Sequence, residues 1–213
     1  LASGIAHGRV AALRADSGGA AHAAAGMART RVPKPRKSKR AIGYTMFGVT
    51  TSCVTEIVER LKGDYDCLVF HATGTGGKAM EALVDGGMLA GVLDITTTEL
   101  CDDLVGGVLS AGPQRLEAAG RAGVPQVVSL GALDMVNFGA RDTVPPQFED
   151  RNLYVHNPSV TLMRTTRQEC AELGRRIARK LSQATGPVSL FVPLKGVSMI
   201  DAEDQPFHHP AAD

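Results

Sequence analysis

The chain has 213 residues, 44% of them hydrophobic, with a formal net charge of +1 and 4% aromatic residues without tryptophan. That length supports one good core, while the near-neutral charge and scarce aromatics argue against a nucleic-acid surface, which needs a basic field and rings to stack on bases. No apolar run approaches the roughly 20 residues of a membrane-spanning helix, and four scattered cysteines without a CxxC pair read as free thiols of a cytoplasmic protein.

Residues 1–40 differ in character from the rest of the chain. "AHAAAGMART" is small and helix-compatible, and "RVPKPRKSKR" is basic and broken by proline. With so little large apolar surface, this stretch reads as the trailing end of a preceding subdomain plus a solvated basic linker, and the chain as part of a longer protein.

From residue 41 the pattern is regular. "AIGYTM" (41–46) reads as a strand, "FGVTTS" as a loop and 53–61 as a helix. "CLVFH" (67–71) is the next strand, followed by the loop "ATGTGG" and a helix near 77–85. "GVLDI" (91–95) is a third strand, and "TTTE" opens another helical run. A helix over 113–122 leads to the strand "QVVSL" (126–130). A long irregular stretch follows, then the strand "LYVH" (153–156), a helix over about 166–183 and the strand "VSLFVP" (188–193). Short apolar strands alternating with helices predict an α/β, Rossmann-like, doubly wound and mainly parallel sheet with helices on both faces, covering 41–213. The apolar strands 44–46, 68–70, 93–95 and 127–129 are expected as its central neighbours.

In such sheets ligands bind at the carboxyl edge of the strands. Three strand-end loops there are rich in hydroxyls and lead into helices: Thr50 and Thr51, then Thr73, Gly74, Thr75, Gly76 and Gly77, then Thr96, Thr97 and Thr98. Helix N-termini expose amides to an anion, and glycine lets the backbone approach a phosphate closely. An anion or nucleotide phosphate is therefore expected against residues 73–77, with Gly76 as the close-approach position. Threonines before helices are also ordinary N-caps. His71 and Lys78 flank the glycine loop: His71 could be a phosphate donor, a general base or a structural histidine bonded to the loop, and Lys78 could neutralise phosphate charge or simply face solvent. Glu99, Asp102 and Asp103 are acidic enough to hold Mg²⁺, with Glu99 the candidate, though first-turn acids also complement a helix dipole. In "SLGALDMVNFG", Gly131 leads to Asp134 and Asn137, polar groups amid apolar ones that could read a ligand or stabilise the loop. Arg164 could clamp an anion or face solvent.

The loop lacks the first glycine and the hydroxyl of a Walker A motif. Residues 74–79 do fit G-x-G-x-x-A, with Asp94 about twenty residues on, where a dinucleotide ribose would be bound. No G-x-S-x-G elbow or other complete catalytic set is present.

Together "TMFGVTT", "YDCLVFHATGTGGKAMEALV", "GVLDITTTE", "VSLGALDMVNFG" and "HNPSVTLMRTT" resemble the ATP-binding family typified by the N-terminal inhibitory region of the tomato tobamovirus-resistance protein. The resemblance runs from about residue 26 to the end. It implies a two-subdomain architecture of which this chain holds the second, binding of ATP with Mg²⁺, self-association into a homo-oligomer, and a TIM-barrel partner region in some relatives. The glycine and threonine loops would then be the nucleotide contacts. Three alternatives stand beside an ATP-binding module: an ATP- or phosphate-ester-dependent hydrolase or ligase, a nicotinamide-dependent oxidoreductase, and a protein-interaction module with a structural nucleotide.

Overall fold

A computed structural model describes residues 21–22, 24–29 and 39–213. Residues 21–22 and 24–29 are helical and exposed. The basic linker and most of the expected trailing subdomain end lie outside the described residues.

The chain from Lys39 to Asp213 forms one compact unit. Its main sheet contains β1 (Arg40–Met46), β2 (Tyr65–His71), β3 (Gly91–Thr96), β4 (Gln126–Gly131) and β8 (Val188–Phe191). The order is β2-β1-β3-β4-β8, and every pairing is parallel. Taken in sequence these five strands follow the doubly wound order 2-1-3-4-5, which reverses direction between β1 and β3.

Helix periodicity explains the cover. In α1 (Thr51–Leu61), Val54, Ile57, Val58 and Leu61 recur on one stripe. They pack with Ile42, Tyr44 and Ile95 on one face of the sheet. In α2 (Thr75–Asp85), Met80, Leu83 and Val84 pack with Val92 and with Ala118 and Ala119 of the short helix α4 (Ala118–Ala122) on the opposite face. Alternate β1 residues therefore serve different layers. Helix α5 (Arg167–Ser182) begins with a capping box, in which Thr166 and Glu169 satisfy each other's amides. Its Leu173 and Ile177 close a core with Val128, Met163, Phe138 and Leu100, the last from helix α3 (Glu99–Val105).

Two features depart from the sequence reading. First, β2 is an edge strand, not a central one, and Leu68 and Val69 are 38% and 42% exposed. Its apolar run is shared between β1 on one side and an open edge on the other. Second, the long irregular stretch holds β5 (Met135–Phe138), which pairs antiparallel with β7 (Val160–Arg164), itself paired with β6 (Leu153–Asn157). This three-stranded sheet packs through Val136, Phe138 and Met163 into the core that holds Val128 of β4. The expected helix over 113–122 shrinks to α4, because Gly112 and Leu116 adopt positive φ and break the run.

Candidate functional site

The strand-end loops meet at one edge, joined by their own backbone. The Ala72 amide donates to Met46 O, Thr97 to Gly131 O, Ala132 to Val197 O, and Met199 to Val49 O. The Phe47 and His71 rings stack with centroids 5.4 Å apart. The loops after β1, β2, β3 and β4 and the segment before residue 200 thus form one continuous rim.

At its centre lies a buried ionic cluster. The Arg115 guanidinium is wholly buried. It grips Asp94 bidentately at 2.5 and 2.7 Å and donates from Nε to Glu99 at 2.6 Å, with Glu81 at 3.5 Å. Burial works against the Arg115 charge, but the facing carboxylates outweigh it and hold the group protonated. Burial pushes the Glu81 carboxyl upward, opposed by Arg115 and by the Leu116 amide. Thr45 completes the cluster, donating to Asp94 at 2.7 Å.

Glu99 also explains the glycine loop. Its Oε1 accepts the amides of Gly74 at 2.6 Å and Gly77 at 3.1 Å. The inner part of the expected anion cradle is thus filled by the protein's own carboxylate. Gly74 sits at φ +84°, and a Cβ there would stand 2.8 Å from Ser110 O. A Cβ on Gly76 would stand 1.8 Å from His71 O. Both glycines are required by the chain itself. Glu99 has both oxygens engaged and no exposure, so it does not fit a Mg²⁺ ligand. No group of three His, Cys, Asp or Glu side chains among the described residues is placed to hold a metal. Asp94, also fully engaged and 2% exposed, does not fit a ribose ligand, which removes the main support for the dinucleotide fingerprint.

The threonines divide into two groups. Thr96, Thr97 and Thr98 are fully buried and donate to Thr45 O, Ser129 O and Met135 O. Thr50 is nearly buried, and its hydroxyl meets that of Thr96 at 2.7 Å. These residues tie loops together. On the rim, Thr51 is half-buried and Thr75, His71 and Lys78 are exposed, while Thr73 bonds back to His71 O. The amides of Gly48, Val49, Thr75 and Gly76 donate to no acceptor among the described residues. Neither α1 nor α2 has an acidic residue in its first turn.

Asn137 and Asp102 face each other in the interior. Asp102 accepts the Asn137 amide and Nδ2, and burial still pushes its pKa up to about 7. Arg164 is 4% exposed and held by Asp201, Asp213 and Phe207 O, so it neither faces solvent nor clamps an external anion. Gly131 approaches Ile95 O so closely that a Cβ would stand 2.2 Å away. Asp134 is fully buried, accepts the Ser198 hydroxyl at 2.7 Å and has its pKa pushed by burial to about 7.

Beside this rim, a pocket of about 300 Å³ opens between the start of α1, the ends of β3 and β4, and the segment 193–199. Val49, Ile95, Val197 and Met199 give it apolar walls, and Ser52, Ser129 and Ser198 also line it. Ser198 and the Arg115 cluster escaped the sequence reading, since both are assembled by contacts distant in the chain. All four cysteines are free, and no helix among the described residues is long and apolar enough to cross a membrane.

Comparison with known proteins gives consistent results. A model of the C-terminal domain of an uncharacterised protein family, UPF0261, matches residues 39–213. A UPF0261 protein of Rhizobium meliloti (strain 1021) is 59% identical over 194 residues, covering 91% of this chain and 48% of its own. One from Clostridium tetani (strain Massachusetts / E88) is 57% identical over 190 residues, covering 89% and 47%. The ToMV resistance protein Tm-1(GCR237) of Solanum lycopersicum is 51% identical over 175 residues, covering 82% of this chain and 23% of its own. The chain spans about half the length of these bacterial relatives.

Proposed function

The chain belongs to the UPF0261 family, and on that premise we propose that this domain is a nucleotide-binding module that takes ATP at the carboxyl edge of its parallel sheet. The observation that carries the reading is the pairing of an apolar pocket with unspent amides. The pocket adjoins the reversal in strand order between β1 and β3, where doubly wound sheets bind ligands. Next to it, Gly48 and Val49, in the 3-10 turn Gly48–Thr50 that leads into α1, have unpartnered amides, and no acidic first-turn residue neutralises the helix dipole.

In this reading the phosphates lie against residues 48–52, and the base enters the apolar pocket. Ser52 supplies a hydroxyl, while the Thr51 hydroxyl donates to Phe47 O and holds the turn. Lys78, His71, Thr75 and the Gly76 amide, across the Phe47–His71 stack, form the outer wall for the terminal phosphate. The inner glycine-loop amides take no part, because Glu99 holds them. Mg²⁺ would enter as a counter-ion on the phosphate oxygens with its water shell, as suits an ion that needs few protein ligands. Bound nucleotide would supply a phosphoanhydride. This chain's residues would bind and orient it, and the proposal extends to no turnover. Self-association and a TIM-barrel partner region belong to the same proposal.

Thermal shift tests the reading. ATP–Mg²⁺ should raise the unfolding midpoint in a concentration-dependent way, since a ligand that binds only the folded state stabilises it by mass action. NAD⁺ at the same concentrations should not. A shift with NAD⁺ alone would return the dinucleotide alternative, and no shift with either would remove the nucleotide reading.

A further inference from the structure

The hydroxyl of Ser198 has an uncommon hydrogen-bond state. Its proton goes to Asp134 Oδ2 at 2.7 Å, and one lone pair accepts the Ile200 amide at 3.2 Å. A hydroxyl has one proton and two lone pairs. One lone pair is therefore unspent, and the residue lines the apolar pocket.

The partner is as informative. Asp134 is wholly buried, and its Oδ1 has no hydrogen-bond partner. Burying a carboxyl with half its acceptor capacity empty is costly, and an apolar residue of similar volume would stabilise the fold better. Its one side-chain contact of consequence is to Ser198. Arg164, whose charge acts on it, is already committed to Asp201 and Asp213. The arrangement costs stability and fixes which way one pocket hydroxyl points its proton.

We infer that Ser198, its proton held by Asp134, is the pocket's specificity-determining residue, presenting a lone pair that selects a planar heterocycle bearing an exocyclic amine. The walls suit such a ring, because Val49, Ile95, Val197 and Met199 are apolar and can bury its faces. The chemistry recognised is an N–H donor on an aromatic ring, as on a 6-aminopurine. A site built to bond a donor discriminates against an analogue lacking it, because the polar group is left unpaired. The inference rests on the nucleotide reading and adds to it the atom that reads the base.

The experiment compares three probes on the full chain by calorimetric titration. These are ATP, purine riboside 5′-triphosphate, which lacks only the exocyclic amine, and inorganic triphosphate, each with Mg²⁺. Titrations run at about pH 8.5, where a carboxyl with a pKa near 7 is ionised and Ser198 must donate to it. ATP should bind about five- to tenfold tighter than purine riboside triphosphate, as for one neutral hydrogen bond. Ser198→Ala should reduce that ratio to near one while leaving purine riboside triphosphate unchanged. Ser198→Thr should keep it. Equal affinities for the two nucleoside triphosphates in wild type would overturn the inference even if Ser198→Ala failed to fold. So would a preference that survives in folded Ser198→Ala, or triphosphate binding as tightly as ATP. Those three results would leave the phosphate site standing. Absence of binding by all three probes would remove the nucleotide reading and the inference with it.

Discussion

Glu99 lies against Gly77 so closely that a Cβ built on that glycine would stand 2.2 Å from Oε2. The same Cβ would be 2.6 Å from Arg115 Nε. Here the glycine-rich turn is shaped around an internal ion pair, and the carboxylate occupies the place that an external anion would take in a phosphate loop.

Gly77→Ala should therefore destabilise the fold by about 3 kcal/mol, the upper range for overpacking a tight site. Gly48→Ala is the contrast, because nothing lies within 4 Å of a Cβ there. It should change stability by about 0.5 kcal/mol or less, as surface substitutions do. Urea denaturation of both variants checks the pair. Equal effects would mean that the Glu99 contact does not shape the loop.

Arg115→Met should cost about 3–5 kcal/mol, since it leaves Asp94 and Glu99 buried without their cation. Arg115→Lys, which keeps a cation but not the bidentate fork, should recover part of that loss. Urea denaturation of both variants measures it. A Lys variant no more stable than the Met variant would assign the loss to packing of the long side chain instead of to charge.

The parallel sheet was readable because its strands are short apolar runs closed by glycine and hydroxyl residues, and α1 was readable from the spacing of Val54, Ile57, Val58 and Leu61. β5 and β7 were not, for a physical reason. "MVNF" and "VTLMR" are only four and five residues long, and both are almost wholly buried. Neither shows the alternation that marks a half-exposed strand. The glycines of 74–77 were legible as close-approach positions, but the approaching group was not. Gly77 meets a carboxylate 22 residues later in the chain, and Glu99 meets a guanidinium 16 residues beyond that. The same limit hid Ser198, whose partner Asp134 lies 64 residues away.

Stability should fall as pH rises toward neutrality. Asp102 and Asp134 have pKa values near 7 when folded, raised by burial from an ordinary value of 3.8. Between those limits the folded chain holds protons that the unfolded chain releases. Their contribution is full below about pH 4 and is lost as pH passes through 7. Asp102→Asn cannot ionise and should lose less stability between about pH 5 and pH 8 than wild type does. Denaturant midpoints across that range check it. An identical slope in the variant would show that Asp102 does not titrate there.

The nucleotide reading is tested most directly at Ser52, an exposed residue in the first turn of α1 that lines the pocket. An acid at this position favours the helix dipole, adding about 0.3–1 kcal/mol to stability. It also puts a negative charge where the phosphates are proposed to lie. The measurement is calorimetric titration of ATP–Mg²⁺ into the wild-type full chain and into Ser52→Asp, with the thermal midpoint of each recorded. Wild type should bind, and affinity should fall more than about tenfold in Ser52→Asp, where like charge meets the phosphates, while the thermal midpoint stays equal or rises. Undiminished affinity in Ser52→Asp, or no heat of binding to wild type, would contradict the nucleotide reading.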